Sequence, residues 1–102
     1  MVVEIAAFLL ASVAASAVLW VTVLTVSFLV DWFQERAARV RFDADKAAVT
    51  VIEELASGKT IVVQGIFDKS ANKFDESRKI EAGQVDPELR RVHSNHKVVI
   101  WS

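Results

Sequence analysis

The chain contains no cysteine, and it has only three glycines and one proline among 102 residues. Without cysteine there are no disulfides, no thiolate metal sites and no Cys nucleophile. The glycines, Gly58, Gly65 and Gly83, stand apart from one another, so no glycine-rich phosphate loop exists. Lys and Arg are absent before Arg36, and Glu4 is the only charge before Asp31. The 12 basic and 13 acidic residues nearly cancel, which leaves no electrostatic case for nucleic acid as a partner.

Catalytic and metal motifs are equally sparse. There is no nucleophile elbow and no His-Glu-x-x-His helix. Asp68, Asp75 and Glu76 flank a turn-rich stretch without the spacing or glycine of a calcium loop. His93 and His96 have the i, i+3 spacing that would place two imidazoles on one metal, but no carboxylate motif completes the set. The residues therefore predict no enzyme, no metal and no cofactor, with an enzyme or metal site at His93 and His96 as the remote alternative.

What the sequence does have is a long apolar opening. Residues 5–30 carry no charge, glycine or proline. As a helix they would extend on the order of 39 Å, more than the roughly 30 Å hydrocarbon core of a bilayer. Trp32 and Phe33 follow, where aromatic side chains favour the membrane interface. Ala15, Ser16 and Ala17 resemble a signal cleavage site, yet the n-region has no basic residue and the apolar run continues beyond it. This reads as a permanent span over 1–33, with the bilayer as its surroundings. Arg36, Arg39, Arg41 and Lys46 lie on its C-terminal side, so the positive-inside rule places the N-terminus outside and the rest in the cytoplasm.

Residues 34–58 are rich in helix formers and end at Gly58, which predicts a membrane-proximal helix continuing the span. A break at Phe42 and Asp43, with Asp43 as N-cap, is the alternative. Ala7, Ala11, Ala14, Val18, Thr22 and Thr25 share one helical face with Glu4, away from Leu9, Val13, Trp20 and Leu24. That face aligns with a second stripe that includes Ala37, Val40, Ala44, Ala47 and Val51. Small residues permit close helix approach, so the combined seam predicts self-association or docking onto a larger membrane complex. Glu4 reads as a solvated residue at the headgroup boundary.

Residues 59–102 read as a small ββαβ unit. The run TIVVQGIF at 60–67 is apolar on both faces and suits a central strand. A polar strand at 76–81 suits an edge. Asp86, Pro87 and Glu88 form a helix start, with the helix running to about His93, and KVVIW at 97–101 is a last strand. A right-handed crossover then predicts a three-stranded sheet of order 2-1-3, with the last strand parallel to the second. The expected protein is thus a single-pass membrane scaffold or accessory subunit. A membrane-anchored module that senses a ligand or binds a partner is the alternative.

Overall fold

A computed structural model of the chain describes residues 18–94 and 96–101. The first described element is a strand, β1 (Val18–Leu24), where the sequence leads one to expect the middle of a membrane helix. Four of its seven residues are β-branched, and β-branched side chains fit a pleated, half-buried surface better than a helix. Thr25 ends the strand and caps the next element, its hydroxyl accepting from the Phe28 amide at 3.2 Å. Helix α1 (Val26–Gln34) and helix α2 (Ala37–Arg41) follow, joined through Glu35 and Arg36. Strand β2 (Lys46–Glu54) then pairs with β3 (Thr60–Asp68), and β3 with β4 (Lys73–Val85). Helix α3 (Pro87–Val92) and strand β5 (Val98–Trp101) complete the order.

The five strands form one mixed sheet in the order β1-β4-β3-β2-β5. β1 runs parallel to β4, and every other neighbouring pair is antiparallel. Helices cover one face. Leu29 of α1 and Leu89 of α3 pack with Leu24, Val62, Ile80, Ala82 and Val85, while Trp32 and Val40 pack on Ala48 and Ile66. The opposite face is built around Ala47, Val49, Val51 and Val63, with Phe67, Phe74 and Val98 against them. Among the described residues, only strands contribute to that second cluster.

Several expectations are corrected. The fold is a small α+β domain with a five-stranded sheet, and among the described residues there is no long membrane-to-cytoplasm helix. Among the described residues no helix is long and apolar enough to cross a membrane. Residues 1–17 of the expected span lie outside the described residues, and its remainder is divided between β1 and α1, with Thr25 between them. The single-pass assignment, and the outside-to-cytoplasm orientation derived from it, therefore lose their basis. Trp32 is not an interfacial anchor: it is 9 % exposed and meets Phe33 edge-on at 5.6 Å. Residues 34–58 are not one helix, because Val49, Thr50, Val51 and Ile52 make a β-branched run that joins the sheet centre. Asp43 does not cap a second helix; its side chain accepts from the Asp45 amide at 2.9 Å in the turn before β2.

The strand over 60–67 is central, but the order 2-1-3 does not hold. β2 inserts between β3 and β5, which makes β5 antiparallel in direction to β4. The polar strand read as an edge is longer and lies inside the sheet, covered by β1. α3 begins where Asp86 and Pro87 direct it, with Asp86 Oδ1 accepting from the Glu88 amide at 2.9 Å.

Candidate functional site

The helix-covered face holds an apolar cleft of about 320 Å³. Val30, Phe33 and Gln34 of α1 form one wall, Ala37, Val40 and Arg41 of α2 another, and Ala48 of β2 with Trp101 of β5 the floor. The cleft exists because Ala37 and Ala48 are too small to fill the space between α2 and the sheet. Trp101 is held by its indole N–H, which donates to the Thr50 hydroxyl at 2.7 Å, and its ring lies 6.0 Å from that of Phe33. Thr50 is fully buried and also meets His93 Nε2 at 2.7 Å. The floor of the cleft is thereby tied to α3 through a polar contact beneath it.

Charge is distributed unevenly around the α1–α2 segment. Arg36 lies 3.8 Å over the Trp32 ring, donates to the Trp32 carbonyl and pairs with Glu76 at 2.8 Å. Arg39 pairs with Glu76 and with Asp75. Hydrogen bonds from Arg36 and then Arg39 hold the Glu76 carboxyl down at about 2. Lys46 pairs with Asp68 at 2.9 Å. Arg41, exposed at the cleft rim, has no carboxylate within 4 Å among the described residues. Deeper in the same face Arg78 donates to Gln64 Oε1 at 2.8 Å and stacks over Phe28, while Gln64 donates to the Leu29 carbonyl. Burial lowers the Arg78 pKa, and its contacts fasten α1 to the sheet rather than facing the cleft.

The residues of the expected helical seam do not form one face. Val18 and Thr22 lie on β1, Thr25 caps α1, and Ala44 is in the turn before β2. Ala47 and Val51 pack on the face of the sheet opposite the helices. Only Ala37 and Val40 reach the cleft, where Phe33 joins them. Ala7, Ala11 and Ala14 lie outside the described residues, as does Glu4. The single-pass scaffold built on that seam is accordingly corrected: among the described residues the small sheet domain has no such helix.

His93 and His96 are close but differently employed. His93 is buried, with Nε2 on Thr50 and Nδ1 on the His96 carbonyl at 3.0 Å, whereas His96 is exposed. Among the described residues no group of three His, Cys, Asp or Glu side chains is placed to hold a metal ion. Val30, Gln34, Ala48 and Trp101 build the cleft without standing out in the sequence as site residues, and Arg41 stands out there only as a basic residue following the apolar run. Of the first four, Trp101 alone carries a sequence signal, as the large aromatic closing the strand KVVIW. Comparison of the chain with family models, with curated proteins and with solved structures finds no match.

Proposed function

We propose that this domain is a binding module for a small amphipathic carboxylate, its apolar body in the cleft and its carboxylate on Arg41. The observation that carries this reading is the cleft itself: an apolar hollow with a charged group at its rim that has no counter-ion among the described residues. Ligand sites are typically concave and mostly apolar, with a few polar groups that set orientation, and span roughly 300–1,000 Å³. A volume of about 320 Å³ favours a small ligand. Gln34 adds an amide donor at the same rim, and a guanidinium binds a carboxylate through two parallel N–H donors.

Titration with octanoate against octanol, followed by Trp fluorescence and calorimetry, tests the proposal. Octanoate binds better than octanol, and Arg41→Gln weakens octanoate roughly tenfold, on the scale of a hydrogen bond to a charged group. Ala48→Phe, which fills the floor, abolishes binding of both. Equal affinity for the two probes, or none for either, overturns the reading.

A further inference from the structure

Among the described residues, β1 is an edge strand without the protection edges usually carry. Its sequence VLWVTVL has no charge, no proline and no glycine. Among the described residues, no strand pairs with the side it turns away from β4. Val18, Leu19, Trp20 and Val23 are 47, 43, 53 and 47 % exposed. An unpaired row of N–H and C=O groups is a template for another strand, and natural edges are blunted by charge, proline, bulges or brevity. The other edge is blunted in this way: β5 has four residues and follows directly on Lys97.

We infer that β1 pairs with β1 of a second copy of this chain, antiparallel about a twofold axis at Val21, joining two five-stranded sheets into one. The pairing is self-consistent in side chains and charge. It sets Leu19 opposite Val23, Trp20 opposite Thr22 and Val18 opposite Leu24 of the second copy. The next row inward carries two charges, Lys79 beside Val18 and Glu81 beside Trp20, and is otherwise uncharged, with Ile80 beside Leu19, Ala82 beside Val21, Gln84 beside Val23 and Val85 beside Leu24. No row thereby places like charges across the junction, and such pairs are what destabilise adjoining strands. A second copy brings an edge equally uncharged and equally open. Twofold pairing is isologous and closed, so it consumes the unguarded edge of each copy and leaves the short β5 strands outermost.

The test is the native mass of the full chain by sedimentation equilibrium across a concentration series, with amide exchange of residues 18–24. The expected result is a monomer–dimer equilibrium with slowly exchanging β1 amides in the dimer. Leu19→Lys weakens the dimer roughly tenfold, because two symmetry-related sites each lose a cross-strand apolar pair. Adding Val23→Glu to Leu19→Lys restores it, since the register sets the new opposite charges against each other. Circular dichroism confirms that each variant folds, and Val23→Lys serves as an independent second disruption. A parent chain that stays monomeric overturns the inference. So does a dimer indifferent to Leu19→Lys and Val23→Lys, or a parent that forms open-ended oligomers.

Discussion

The Thr50 hydroxyl oxygen lies 2.7 Å from Nε2 of His93, at the point where β2 meets the end of α3. The Trp101 indole N–H lies at the same distance and can only donate, so the hydroxyl accepts from it. The hydroxyl proton is then directed to His93 Nε2, and His93 Nδ1–H donates to the His96 carbonyl. This chain of bonds specifies a neutral His93 in one tautomer, because all three groups are satisfied only in that state.

Thr50→Val keeps the side-chain shape while removing the acceptor for Trp101 and the donor for His93. Leaving buried polar groups unpaired costs about 1–3 kcal/mol, and Thr50→Ser should recover most of it. Urea unfolding of the three proteins measures the difference. Equal midpoints for Thr50→Val and the parent would show that the contact contributes nothing to stability.

Desolvation lowers the His93 pKa below its ordinary 6.5. The unfolded chain therefore binds a proton near pH 6.5 that the folded chain resists. The stability contributed is complete above 6.5, declines as pH falls through 6.5, and levels off below the folded pKa. His93→Gln should flatten that part of the pH–stability curve. A slope that His93→Gln leaves unchanged between about pH 7 and about pH 5 would refute the assignment.

A second acid limb should lie lower. Glu76 is held at about 2 against its ordinary 4.5 by Arg36 and Arg39. Its contribution is present above 4.5 and is lost as pH falls toward about 2. Because its side chain is 35 % exposed, salt should weaken the effect. Glu76→Gln, measured by thermal unfolding at low and high salt, should remove both this acid limb and its salt sensitivity.

Gly65 lies beneath the Phe74 ring, where an added Cβ would meet Phe74 Cε1 at 2.6 Å and the Glu76 carbonyl oxygen at 2.7 Å. The ring can turn aside, but the carbonyl belongs to the neighbouring strand and cannot do so freely. Gly65→Ala should destabilise the domain by about 1–3 kcal/mol, the range for overpacking. Denaturant unfolding checks the cost, and NMR shift changes centred on Phe74 and Glu76 check its cause.

Residues alone determine the local signals of this protein. Asp86 and Pro87 start α3 because their side-chain acceptor and fixed backbone angle act within one turn. The run at 60–67 is a central strand because it is apolar on both faces and bounded by turn residues. The lack of cysteine settles disulfides outright. Residues 18–24 and 46–54 are different: uniform hydropathy and three-four spacing favour helices there, while β-branching favours strands. Tertiary structure decided both in favour of the sheet, because β4 and β3 offer open edges whose pairing outweighs local helix preference. It likewise decided the cleft. Ala48 and Trp101, fifty-three positions apart, meet only because β5 pairs with β2, a contact that no periodicity along the chain encodes.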